Sequence, residues 1–595
     1  MLDYVYGVTT QGIRSHVQFV SDDMLVYPAA GVGVVLSISS NFQSFFRGHN
    51  NDISALAVSK DRSLVATGQI GKRARVCIWD PISLKEVGSF TSLERGVIAV
   101  AFDHTGRYVV AVGNDDYHSV AVYDIKAQKQ IALQRGERNK VYHLSSSAAG
   151  FIMAGHNFAR LITINNDAVD IKKVLFGSGS SRAQVVPFPC CAALADGRGI
   201  LGSSKGELYI MSGNSVTSTV QAHSGPVLTI FADDYGVVSG GRDCTVKLFS
   251  TSLKQQTSVK LGAPIRSVSR LPSASSLTTG LAVTLEDGSI YLFDFIEDEG
   301  KLIQKCHGTL SYAGKAGLTI SEAWGIAVSP TAPEFASVGD DGQLIRYSAV
   351  DKKALNYIRL PNVSRIIVTG LSDGRVASFN SETLEKLNIV TLPRRNRRPI
   401  PDQLSKQFAE CGVSDIKFSP DGEMIACTSH TQDIFVLSKD LQLLHTMAGH
   451  TAHVKAFDWD TTSSYLQSMC GGYDYLFWDA KNGKQVTSAS FFADKEWATW
   501  SLVIGYATKG IFKPAQKGSD INTVAKSNNS DLLVTGTDDG TVELFNFPAL
   551  HDNQERKMYY GHSAHLTGVV FAPNDEMLFS IGGRDNCILS WFVEE

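Results

Sequence analysis

Short runs of alternating apolar and polar residues recur along this chain, paired across turns rich in Gly and Asp. Six stretches share one grammar: "VVSGGRDCTVKLF" (237–249), "LAVTLEDGSIYLF" (281–293), "FASVGDDGQLIRY" (335–347), "IVTGLSDGRVASF" (367–379), "LLVTGTDDGTVELF" (532–545) and "LFSIGGRDNCILSW" (578–591). A period of two predicts β-strands with one face turned inward. The Gly and Asp between them predict hairpin turns, where residues tolerant of positive φ are needed. In each stretch an aspartate stands six residues before the closing aromatic: Asp243, Asp287, Asp341, Asp373, Asp539 and Asp585. An acid fixed at such a corner can accept bonds from backbone amides and from a histidine of the outer loop. Candidate histidines follow Gly or Ala at His49, His223, His450 and His562. The pattern predicts structural corners of strands, not catalytic His/Asp pairs.

Weaker copies close near Tyr123, Ile164, Met211, Leu437 and Trp478, Trp79 closes another, and "GVGVVLSI" (31–38) adds a thirteenth. Their spacing, about 40–45 residues, is the period of a four-stranded propeller blade. A blade exposes apolar faces that only neighbouring blades can cover, so the array must be long or closed. Rings usually hold about four to eight blades, so thirteen or fourteen imply two. The expected fold is all-β: two tandem WD-repeat β-propellers of seven blades each. The two rings are expected over 46–350 and 351–595, after a separate N-terminal stretch, 1–45.

Composition narrows the function. At 595 residues the chain is too long for one ordinary core. A net charge of −4 argues against broad attraction to nucleic acid or an anionic membrane. Nine cysteines form no C-x-x-C pair, and their odd number fits reduced thiols. The apolar run 29–38 is too short for a membrane span of about twenty residues, and no secretory leader is visible, so a cytosolic protein is expected. "GSSKG" (202–206) fits a nucleophile-elbow pattern but occupies a turn between strands, where that elbow needs a strand entering a helix. "GTLSYAGKAG" (308–317) lacks phosphate-loop spacing, with Ala316 in place of the magnesium-binding hydroxyl. His16, His104 and His430 read as loop or surface residues, and no H-E-x-x-H occurs. No catalytic residue, cofactor or metal is expected.

The densest charge lies in "PRRNRRP" (393–399), with Arg394, Arg395, Arg397 and Arg398. A solvated loop, a nuclear-import-like or nucleic-acid contact, and a contact with an acidic protein surface are all open readings. Trp497 and Trp500, in an insertion at 480–530, are expected to pack between the two rings, as are Tyr4 and Tyr6.

The N-terminal "DYVYGVTTQGIRSHVQFVSDDMLVYPAAGVGVVLSI" resembles the hydrophobic motif of the echinoderm microtubule-associated-protein-like (EMAP-like) family. "GHNNDISALAVSKDRSLVATGQ" is similar to that family's first repeat, and "EWATWSLVIGYATKGIF" with "GSDIN" to its C-terminal part. The resemblance implies paired propellers, with 1–45 as an apolar motif that packs at their junction and completes the second ring, and association with tubulin, microtubules and other cytoskeletal or axonemal proteins. It implies a place in the cytoskeleton, extending to the doublet wall of a cilium or flagellum. Because Tyr4 already belongs to the motif, no coiled coil is expected ahead of it, and a monomer is expected outside its assembly. The alternatives are a WD-repeat adaptor of another intracellular complex and a propeller enzyme.

Overall fold

The computed structural model describes the chain except residues 11–12, 166–167, 178–183, 272–279, 295–298, 307–321, 330–331, 340, 342, 360–367, 371–374, 380–385, 394–412, 430–431, 493–494, 513–519, 553 and 594–595. The regular structure of the described residues is almost entirely antiparallel strand, divided between two compact units. One unit is Val5–Thr319; the other joins Met1–Tyr4 to Ile320–Glu595. No helix among the described residues is long and apolar enough to cross a membrane.

The first unit contains seven four-stranded sheets, beginning with Gln18–Phe19, Met24–Ala29, Val32–Ser37 and Gln43–Phe46 and ending with the sheet of Ile265–Arg270. The middle strands of each blade are apolar on both faces. In Tyr108–Gly113, Val109 and Ala111 enter one core with Val76 and Ile78, while Val110 and Val112 enter another with Leu144 and Met153. A blade between two neighbours must bury both sides, so its middle strands lose the apolar-polar alternation. The outer strand Lys129–Gln134 is mostly exposed and reads polar. Closure joins the first blade to the seventh: Ser267 Oγ accepts from the Val17 amide at 3.2 Å and Ser269 Oγ from the Phe19 amide at 3.2 Å, and the Tyr27 hydroxyl donates to Gln304 at 2.8 Å.

The second unit contains six sheets among its described residues, one for each repeat copy read there, where a ring of seven blades was expected. It begins at strand Ala323–Val328, not near residue 351. That strand closes on the final blade, where the Thr567 hydroxyl donates to the Ala323 carbonyl at 2.7 Å and the Ala323 amide to Gly583 at 3.0 Å. The stretch 1–45 also divides differently from expectation. Leu2–Tyr6 is the outermost strand of the last sheet, paired with Ile588–Phe592, whereas residues 18–46 form a blade of the first unit.

Between strands Val454–Trp459 and Ile521–Lys526, two neighbouring blades of the second unit are held apart by a non-repeating segment. Its two 3-10 helices are Ala489–Phe492 and Tyr506–Ile511. Phe492, Trp497, Trp500 and Ile511 from this wedge share a core with Phe477 of one blade and Val524, Leu533 and Phe545 of the next. Elsewhere such cores form from adjacent blades directly. The wedge lies in the insertion read at 480–530, and it packs between two blades.

Candidate functional site

The histidines of the outer loops build buried bridges across their blades. In the last blade of the second unit, His562 Nδ1 lies 2.9 Å from Asp585, and its Nε2 lies 2.8 Å from Ser580 Oγ. The Trp591 indole donates to the same hydroxyl at 2.8 Å. His223 repeats this with Asp243 at 3.1 Å and Ser239 at 2.7 Å. The connectivity is that of a Ser–His–Asp triad. Yet Ser239 and Ser580 are both 0% exposed, so no substrate reaches either hydroxyl. These are struts between strands.

Two blades vary the strut. His49 meets Gln69 at 2.9 Å and Thr67 at 2.7 Å. His450 reaches Ser468 at 2.7 Å, but its Nδ1 has no partner, because Asp474 is taken by the Thr451 amide and hydroxyl. Ligand atoms of His450, Cys470 and Asp474 all lie within 4.8 Å of one another, the one metal-capable group among the described residues. Its parts match a strut whose aspartate stands six residues after the strut serine, where Asp243 stands four after Ser239.

Of the remaining corner aspartates, Asp341 and Asp539 serve their own turns, and Asp287 takes a bond from just past the outer strand of its blade. Asp287 accepts from Lys305 at 2.8 Å, Asp341 from the Gln343 amide at 3.0 Å, and Asp539 from the Thr537 hydroxyl at 2.5 Å. Asp373 lies outside the described residues. The turn glycines press against the histidine loops. Gly540, at φ +81°, would put a Cβ 2.8 Å from the His562 carbonyl, and Gly206, at φ +89°, would put one 2.0 Å from the His223 carbonyl. "GSSKG" is therefore a hairpin turn between Gly199–Gly202 and Glu207–Ser212.

Inner strands of six successive blades of the first unit, together with Ile13–Gln18, line an axial cavity of about 240 Å³. His16 is wholly buried beside it in sequence, which corrects the surface reading; His104 is exposed, and His430 lies outside the described residues. Burial pushes the His16 imidazole down to about 3, with Arg266 and Arg14 adding to the effect. Burial likewise holds His49 and His143 at about 4. Unfolding releases these rings to about 6.5. The unfolded state then binds more protons below that value, so stability is complete above pH 6.5 and declines as pH falls toward 4. At pH 5, His16 alone is expected to cost about 2 kcal/mol. Denaturant midpoints of the first unit at pH 7.5, 6 and 5 test this, and His16→Leu should flatten the slope. Identical slopes in the two proteins would contradict it.

In the second unit, Lys417 and Asp458 bind the wedge. Lys417 Nζ lies 3.1 Å from Asp458 and donates to Ser501 Oγ at 2.5 Å; Asp458 also accepts from Thr499 at 2.6 Å and the Ser501 amide at 2.9 Å. Asp415 lies 3.5 Å from the same ammonium. Burial opposes charge on Asp458, but Lys417 and these hydrogen bonds outweigh it and hold the carboxyl low. Burial pushes Asp415 up.

Trp497 and Trp500 therefore pack inside the second unit rather than between rings. The wedge's backbone follows a neighbouring strand, through an Asp460–Trp497 bridge, and this orients both indoles into that core. Tyr4 and Tyr6 are buried in strand Leu2–Tyr6. Arg394, Arg395, Arg397, Arg398 and the stretch 308–317 lie outside the described residues. The sequence reading missed Arg14, His143 and the Lys417 network. A signal existed for the last: Asp415 and Lys417 stand two apart, hence on one strand face, as an opposite-charge pair in an apolar run.

Residues 323–593 match the family described as the echinoderm microtubule-associated protein second beta-propeller, and residues 42–285 match that of the first beta-propeller. Mouse echinoderm microtubule-associated protein-like 2 is 27% identical over 630 residues, covering 100% of this chain and 91% of the relative. The 77 kDa echinoderm microtubule-associated protein of Lytechinus variegatus is 26% identical over 100% of this chain and 89% of its own. The ciliary WD repeat-containing protein ctxp80 of Euplotoides octocarinatus is 26% identical over 99% and 85%. With the two propeller families matched in order, one to each unit, the chain belongs to the echinoderm microtubule-associated-protein-like family.

Proposed function

We propose that this protein is a non-catalytic scaffold that associates with microtubules, and that its compartment includes the ciliary or flagellar axoneme. The observation that carries the reading is an alignment running through both units, over at least 99% of the chain, with proteins named as microtubule-associated and as ciliary. The buried Ser–His–Asp struts favour a structural over a hydrolytic role, since their hydroxyls are shut off from solvent. The rigid blades carry many loops, a good support for protein contacts. The wedge adds exposed aromatics, with Tyr506 79% and Phe491 51% exposed, of the kind that anchor interfaces.

Arg394, Arg395, Arg397 and Arg398 form the proposed contact with an acidic partner surface such as tubulin's. On a chain of net charge −4 their attraction is local and screened by salt. Co-sedimentation with polymerised tubulin, and with axonemes, tests the reading. The wild-type protein should pellet with the polymer, and alanine at all four arginines should lower the bound fraction several-fold at low salt and less at high salt. Recovery only in soluble or nuclear fractions would overturn the function. Unchanged pelleting of the quadruple variant would overturn the arginine contact alone.

A further inference from the structure

Arg14 is the one formal charge among the described residues that line the axial cavity of the first unit. Arg14 lines the wall, and among the described lining residues there is no Asp or Glu. Its Nε is closed off from solvent without a hydrogen-bond partner, and Nη1 donates only to the carbonyl of adjacent Ile13, at 3.4 Å. The nearby carboxylate of Glu286 is engaged by Arg266 at 2.6 Å. Burial, helped by Arg266, lowers the Arg14 guanidinium to about 10, so it remains a cation at neutral pH. The guanidinium is partly buried and its Nε wholly so, and such a charge gains when an anion supplies both charge and acceptors.

The wall offers a second donor. His143 Nδ1 accepts from the Cys191 amide at 3.2 Å, which leaves the ring proton on Nε2. Of the other polar groups on the wall, Ser54 Oγ donates to Val97 at 2.5 Å, and the Gln18 amide donates to Ser15 at 2.8 Å. Ala55, Ala57, Ala99, Ala101 and Ala192 occupy positions where larger side chains would fill the space. The volume of about 240 Å³ equals about eight waters at ~30 Å³ each, room for one small organic acid or phosphate.

We propose that the axial cavity of the first unit binds one small carboxylate or phosphate anion, held by the fork of Arg14 and the Nε2–H of His143. A planar guanidinium fits either group through two parallel hydrogen bonds. The proposal does not depend on microtubule association.

Isothermal titration of the full chain in Tris chloride, with succinate, citrate and inorganic phosphate as separate probes, tests it. At least one probe should bind saturably at one site per chain, and the preferred probe distinguishes a carboxylate from a phosphate ligand. Arg14→Gln should weaken that binding tenfold or more, while Arg14→Lys should keep part of it. If Arg14→Gln does not fold, His143→Gln takes its place, with a several-fold loss expected. Absence of saturable binding by every probe overturns the proposal. So does equal affinity in the folded variant, or an effect that follows ionic strength alone.

Discussion

Lys417→Met is expected to destabilise the second unit by about 3–5 kcal/mol, the loss typical of removing one partner from a buried ionic group. The lysine serves two carboxylates, Asp458 at 3.1 Å and Asp415 at 3.5 Å, and also donates to the Phe457 carbonyl at 2.5 Å and to Ser501 in the wedge. Burial opposes the ammonium, yet Asp415 and Asp458 more than offset it and hold Lys417 above its usual value. Methionine keeps the volume and the apolar stem but leaves two buried acids without a cation. Their folded values must then rise above the unfolded value of about 3.9, so the folded state retains protons that the unfolded state has lost. The loss should be greatest at pH 8 and partly recovered at pH 5. Denaturant unfolding followed by the fluorescence of Trp459, Trp478, Trp497 and Trp500 reads it. A loss below about 1 kcal/mol, or one equal at both pH values, would show that the lysine does not hold the wedge in place.

Why this network escaped the sequence reading says what a repeat pattern carries. The corner aspartates and closing aromatics were legible because each lies within one hairpin, where turn chemistry and a period of two act over a few residues. Asp243 with Phe249 and Asp585 with Trp591 are such pairs. Contacts between blades have no such local signal. Asp458 meets Lys417 from forty-one residues away, and Ser501 meets Asp458 from forty-three. The wedge departs from the repeat, so Trp497 and Trp500 could be recognised as apolar anchors without showing which core they enter. His16 misled for a related reason. A polar residue in an apolar stretch marks either a loop or a buried position, and only ring closure, which carries Val17 to Ser267, decides between them. Blade number was legible by the same grammar: thirteen copies can be counted and thirteen sheets stand among the described residues, while the wedge between two of them has no period.

Deletion of Met1–Tyr4 should have a comparable effect on the second unit for a different physical reason. The strand Leu2–Tyr6 supplies the fourth strand of the last blade and pairs with Ile588–Phe592, so the two ends of the chain share a sheet. The Phe592 amide donates to the Met1 carbonyl at 2.8 Å, the Met1 ammonium to Phe592 at 2.7 Å, and Ser590 Oγ to Asp3 at 2.9 Å. Asp3 also pairs with Lys352. Leu2 and Tyr4 are 6% and 3% exposed, and burial of two such side chains is worth about 3–6 kcal/mol. Truncation removes that burial and uncovers the edge of Ile588–Phe592, whose free amides and carbonyls can pair with another chain. The expected result is a lower unfolding midpoint for the second unit, an unchanged midpoint for the first, and concentration-dependent association on size-exclusion chromatography. A synthetic peptide of residues 1–10 added in trans should recover part of the midpoint by adding its strand to the open edge. Asp3→Asn, which weakens the pairing with Lys352 and Ser590 but keeps the strand, should cost far less than the deletion. If the truncated protein unfolded at the wild-type midpoint and stayed monomeric, the N-terminal strand would not be what closes the last blade.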